Sequence, residues 1–235
     1  MRNVLVALHF LLCAFVPLSA QEEEDTRKPT GRTAWFMYTA LPEGVENPIK
    51  VMSGKEIIEV TLSKRTVSQP VRIPGDGILR VVREEPDPKD ATQVVYKVLA
   101  QALVAEEVGK ALIILMPLAK PQGDLLFQTK VQDLAGFKGG DWLFMNLTNA
   151  DIGIQLGANK LTIKPAGLHI HNTPGLSKPT STPISYNYRI PGEKEWELIS
   201  ASTIALMPTR REICIFSADT EFGRISYHGI TFPVE

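Results

Sequence analysis

Apolar positions along this chain follow two regimes. Residues 4–16 form a nearly unbroken apolar run, whereas from Thr33 onward the apolar stretches are short and punctuated by Gly and Pro. The short stretches are rich in Val, Ile, Thr and aromatic residues and predict strands: Ala34-Trp35-Phe36-Met37-Tyr38, Ile57-Ile58-Glu59-Val60-Thr61-Leu62, Leu161-Thr162-Ile163 and Arg224-Ile225-Ser226-Tyr227-His228. In the second of these, Ile58, Val60 and Leu62 alternate with Glu59 and Thr61, as a strand with one dry and one wet face requires. One stretch admits a helix. Over residues 92–107, Val95, Leu99, Ala102 and Leu103 can share a helical face, with Gly109 as a C-cap.

The two halves of the chain carry similar landmarks in one order. Trp35-Phe36-Met37 is matched by Trp142-Leu143-Phe144-Met145, and Arg72-Ile73-Pro74-Gly75 by Arg189-Ile190-Pro191-Gly192. Gly109-Lys110-Ala111-Leu112-Ile113-Ile114-Leu115 is answered by Arg210-Arg211-Glu212-Ile213-Cys214-Ile215-Phe216, and Leu125-Leu126-Phe127-Gln128-Thr129 by Arg224-Ile225-Ser226-Tyr227-His228. The shared order predicts a duplicated unit of about 100 residues. Opposite residues 101–105 the second half shows strand-like Ser202-Thr203-Ile204-Ala205-Leu206, so strand is favoured over helix there too. The expected fold is all-β: two tandem immunoglobulin-like β-sandwich domains, 33–134 and 139–235, touching across a short glycine-rich join.

The first residues read differently. One positive charge at Arg2, the apolar run 4–16 and Pro17-Leu18-Ser19-Ala20 give the layout of a secretory signal peptide, residues 1–20, with cleavage expected after Ala20. The run falls short of the ~20 residues that span a bilayer, so no transmembrane span is expected after cleavage. Residues 21–32, with Glu22-Glu23-Glu24-Asp25 at their head, predict an acidic solvated tail. Localisation is then secreted or periplasmic.

Charge narrows the partners. The 235-residue chain carries 25 basic and 26 acidic residues, net −1; removing Arg2 makes the mature balance net −2. That argues against nucleic acid, whose phosphates call for a basic face. Of two cysteines, Cys13 leaves with the signal, and Cys214 sits in an apolar run, where it reads as a buried small hydrophobe.

Candidate chemistry is sparse. The sequence has no Gly-x-Ser-x-Gly, Walker loop, dinucleotide fingerprint, His-Glu-x-x-His or Cys-x-x-Cys, so neither catalytic residues nor a cofactor are predicted. Gly75-Asp76-Gly77 reads as a turn, and Glu84-Glu85 and Glu106-Glu107 as solvated surface. His169-Ile170-His171 places two imidazoles on one face of a strand. They read first as surface histidines at a wet strand end; the alternative is a metal site of His169, His171 and His228, with Cys214 as another possible ligand. Asn146-Leu147-Thr148 is a formal N-glycosylation acceptor, and residues 174–183 read as a mobile polar loop suited to an adaptable contact. Trp35 and Trp142 are expected in the core at matching positions; a carbohydrate-binding module would instead need Trp35, Trp142 or Trp196 exposed on one flat face.

The order Trp35-Phe36-Met37, Arg72-Ile73-Pro74-Gly75, Lys110 through Pro117, then Trp142-Leu143-Phe144-Met145-Asn146-Leu147-Thr148 resembles a loose family of exported bacterial β proteins. The resemblance covers most of residues 33–170; it implies export and an all-β fold and brings no catalytic residue. The expected function is a non-enzymatic structural or binding role in the envelope or secretome, with an envelope or extracellular protein or a glycan as partner.

Overall fold

A computed structural model describes residues 31–90, 92–219 and 224–234, and every regular element among them is a β-strand. The expected signal segment and all but the end of the acidic tail lie outside the described residues. The first half runs β1 (Thr33–Tyr38), β2 (Ile49–Ser53), β3 (Glu56–Val60), β4 (Val71–Arg72), β5 (Ile78–Pro86), β6 (Val94–Leu103), β7 (Lys110–Gln122) and β8 (Leu125–Asp133). The second runs β9 (Trp142–Asn146), β10 (Asp151–Leu156), β11 (Asn159–Ile163), β12 (Leu168–His171), β13 (Thr180–Arg189), β14 (Glu197–Leu206), β15 (Arg210–Asp219) and β16 (Arg224–Pro233).

The duplication is complete at the level of topology. Sheet order β4-β1-β7-β8 recurs as β12-β9-β15-β16, and β3-β2-β5-β6 recurs as β11-β10-β13-β14. Each half is a β-sandwich of two four-stranded sheets, with its first and seventh strands paired in parallel. Even an irregularity repeats: Leu99 is the extra residue of a bulge opposite Val81 and Val82, and Ile199 is its counterpart opposite Tyr186 and Asn187. Residues 94–103 are strand β6, as the comparison of halves favours, because Leu99, Ala100 and Ala102 bury against the sandwich core.

Register corrects three of the landmarks: one is Leu125-Leu126-Phe127-Gln128-Thr129, which is one residue out against Arg224-Ile225-Ser226-Tyr227-His228, since Lys130 lies opposite Ile114 as His228 lies opposite Ile215. Arg72-Ile73-Pro74-Gly75 follows β4, whereas Arg189-Ile190-Pro191-Gly192 follows β13, which matches β5; that pairing was coincidental. Trp35 lies beside Leu112 and Leu143 beside Ile213, so Trp35 corresponds to Leu143 rather than to Trp142. An offset of one residue in a strand reverses the face, and the two indoles point to opposite sides of their sheets.

The four sheets stack in layers. Phe36, Ile113 and Leu115 face the outer sheet of the first half, and Phe144, Cys214 and Phe216 face that of the second. Trp35, Met37, Leu112 and Ile114 turn the other way and meet Leu143, Met145, Ile213 and Ile215 in a third core between the halves. The tandem sandwiches therefore share an interior. This explains why these strands are unbroken apolar runs: β1, the first half of β7, β9 and the middle of β15 are covered on both faces. Each such side chain contributes roughly 1.5–3 kcal/mol by leaving water.

The join adds its own clamp. Phe137 enters the shared core beside Phe232, and the guanidinium of Arg211 lies 3.9 Å from the centre of the Phe232 ring while donating to the Phe137 carbonyl at 3.1 Å. Buried Asp141 accepts from the backbone N–H groups of Lys138 and Thr173 and from Asn172 Nδ2, tying the join to the loop after β12. Arg32, expected at the end of a free tail, instead donates to the carbonyls of Val104, Ala105 and Val108.

Candidate functional site

The three histidines do not converge. His169 and His171 pair opposite Phe144 and Trp142 on edge strand β12 and so share the face turned to the outer sheet. His228 pairs opposite Ile215 on β16, the other edge of the same sheet, and faces the shared core. Three strand spacings of ~4.8 Å, about 14 Å, separate the two edges. Among the described residues no three His, Cys, Asp or Glu side chains gather to hold a metal ion. The alternative of a metal site at His169, His171 and His228 is therefore not assembled here: sequence spacing gave the strand face of the pair, and sheet order carried the third histidine away.

Other expected groups are structural. Cys214 is 1% exposed, has the Tyr186 side chain as hydrogen-bond partner, and burial pushes its thiol pKa up to about 12. Asn146 is fully buried; its Nδ2 donates to the carbonyls of Ala150 and Ile163, and its Oδ1 accepts from Thr148 N–H and Oγ1. Both amide hydrogens are thus spent inside the fold, leaving no nitrogen exposed for a glycan. Glu84 and Glu85 pair with Lys50 and Arg83 at the surface, and Glu106 and Glu107 are exposed. Of residues 174–183, only those before Thr180 are loop, since β13 begins there and pairs with β14.

The tryptophans do not form one platform. Trp35 is buried in the shared core, and Trp142 is half-buried and stacked on Phe144 at 5.6 Å. Trp196 alone is exposed, lying over Gly153 on the second outer sheet with the Arg189 guanidinium 4.6 Å from its ring centre.

The feature that both halves build is a cleft of about 750 Å³ at one seam of the shared core. Its floor is the open end of that core: Met116, Met145, Leu147 and Leu168. Lys130 projects from β8 on the face of Ile114, and its Nζ reaches across to donate to the Ala166 carbonyl at 3.1 Å. Burial holds its ammonium pKa below the usual lysine range. Ala166 adopts φ +58°, a left-handed conformation that costs a non-glycine residue roughly 1–2 kcal/mol. Gly167 closes this turn with a 2.9 Å hydrogen bond to the Lys164 carbonyl.

The duplication explains why a cleft exists here. Register makes Lys130 the counterpart of His228, since each lies opposite an isoleucine, Ile114 or Ile215, that occupies the same position in its half. Beside His228 the seam is filled by the chain itself. Residues 61–70, between β3 and β4, leave β1 at Ser68 and cross to β16, where Thr66 bridges Thr231 and Val67 enters the shared core. The matching connection between β11 and β12 is only residues 164–167, because β12 stays paired to β9 as far as Leu168. Pro70, with no N–H to give a ladder, favours the early departure in the first half. One seam is plugged and its twin is open. Sequence reading missed the cleft because its residues come from five separate segments.

No protein-family model matches the chain, and comparison with curated proteins finds no match.

Proposed function

We propose that this protein is an exported, non-enzymatic binding module of the envelope or secretome, with a protein as its partner. The signal-like residues 1–20 support export, as does the resemblance to exported bacterial β proteins. The observation that carries the binding role is the shared core: it joins the two sandwiches through one apolar interior, and a cleft lined by both halves opens from it. Clefts between modules, apolar with a few placed polar groups, are where ligands are commonly held. Buried polar side chains such as Asp141, Asn146 and Thr148 are engaged in holding backbone, which suits a scaffold.

The test is affinity recovery from solubilised native envelope with the tagged chain, followed by reconstitution with the purified candidate. The expected result is one partner protein that binds stoichiometrically in purified form. Retention of no such partner, or turnover of a substrate by the purified protein, would count against the reading.

A further inference from the structure

The plugged seam shows what its open twin is shaped to take. At the plugged seam the occupant is a strip of chain, Ser63-Lys64-Arg65-Thr66-Val67-Ser68, bent at Lys64 and Arg65, where Arg65 N–H donates to Ser63 Oγ. It makes one parallel bridge to an edge strand, with Thr231 N–H donating to the Arg65 carbonyl at 3.1 Å, and inserts one aliphatic side chain, Val67, into the shared core. At the open seam the same core ends in Met116, Met145 and Leu168. Methionine side chains adapt to variable apolar shapes, which suits a surface that receives a side chain from outside. Charge distinguishes the two seams. The strip that fills the first is basic, whereas the open cleft has Lys130 as the one ionisable residue of its lining. The nearest polar partner of Lys130 is a neutral carbonyl, and Gln128 and Asn149 lie at the polar rim.

We propose that the open seam is a docking groove for a short peptide segment of a partner protein, one that inserts an aliphatic side chain between Met116, Met145 and Leu168 and sets an acidic side chain against Lys130. The site rests on the binding role above and specifies it. The mode is that of the molecule's own plug: a main-chain bridge to a strand edge supplies affinity, and one anchored side chain with one charge supplies selectivity.

The probe is the plug itself with its charge reversed, the hexapeptide Ser-Glu-Asp-Thr-Val-Ser, titrated into protein labelled at the methionine methyl groups and followed by NMR. Saturable shifts of Met116 and Met145 are expected, with binding weakened at least about fivefold by Lys130→Gln. The basic parent peptide Ser-Lys-Arg-Thr-Val-Ser should also bind at least about fivefold more weakly, since it sets like charge against Lys130. Gln128→Glu, an exposed rim substitution, provides a second variant expected to weaken the acidic peptide, and unchanged melting of both variants shows that they fold. The proposal is overturned if the acidic peptide leaves Met116 and Met145 unshifted up to its solubility limit, or if acidic and basic peptides bind equally. It is also overturned if dodecanoate saturates the same methyl groups at lower concentration than the peptide, because the groove would then serve a small amphiphile. A recovered partner whose binding survives both substitutions would remove the seam while leaving the binding role intact.

Discussion

The indole of Trp35, in the first strand of the first sandwich, lies 5.4 Å from the ring of Phe232, in the last strand of the second. This pair joins the beginning of the described chain to its end through the shared core. Neither half can then be severed without exposing that core. Residues 31–135 and 136–235 expressed separately are expected to precipitate or self-associate, whereas the intact chain unfolds in a single urea transition. Trp35→Ala should lower its stability by about 3–5 kcal/mol. Soluble monomeric halves in the ultracentrifuge, or two resolved transitions, would contradict this.

Two glycines of the join respond differently to a methyl group. A Cβ on Gly139 would lie 1.8 Å from the Pro208 carbonyl oxygen, a backbone atom that cannot step aside, while one on Gly136 meets nothing within 4 Å. Gly139→Ala is expected to cost more than about 2 kcal/mol, and Gly136→Ala to stay within about 0.5 kcal/mol. Denaturation midpoints of the two variants, measured side by side, decide the matter.

Asn146 serves as an internal staple. Truncation to alanine removes the Nδ2 donor from the carbonyls of Ala150 and Ile163 and the Oδ1 acceptor from Thr148, and the predicted loss is about 2–4 kcal/mol. Exposed Asn149→Ala should change stability by less than about 0.5 kcal/mol. Equal effects at the two positions would refute the role given to Asn146.

His228 couples stability to pH. Burial, and then the charge of Lys64, hold its folded pKa below the usual 6.5, so the unfolded chain takes up the proton first. Its contribution is complete above about pH 6.5 and is lost as pH falls toward the folded value. His171 titrates in the same sense through burial and its neighbour His169. Stability should therefore decline between pH 7 and pH 5, and His228→Gln should flatten that slope. An unaltered slope would exclude His228 as its source.

Cys214 offers a simple reporter of unfolding. In a chain that begins after residue 20, and so lacks Cys13, the buried thiol with its pKa pushed up to about 12 is expected to react with a thiol reagent at pH 8 only in denaturant. Prompt labelling of the native protein would show the second sandwich to be more open than described.

Much of the fold was legible in the sequence because strand physics is local. Alternation in Ile58-Glu59-Val60-Thr61-Leu62, turn glycines and the ordered landmarks around Lys110 and Arg211 were enough to establish two similar all-β units. The shared core left a trace that alternation alone could not interpret: Leu112-Ile113-Ile114 and Ile213-Cys214-Ile215 are apolar at every position, and only the stacking of the inner sheets shows that both faces are dry. Sequence determined which residues form strands and which side chains within a strand share a face, as it did for His169 and His171. Tertiary structure decided what no local pattern encodes. Sheet order placed His228 on the far edge from that pair, register put Trp35 and Trp142 on opposite faces, and the lengths of two connections closed one seam over His228 while leaving the other open beside Lys130. The physical reason is that side-chain direction follows from a period of two along one strand, whereas convergence and clefts depend on which distant strands lie side by side.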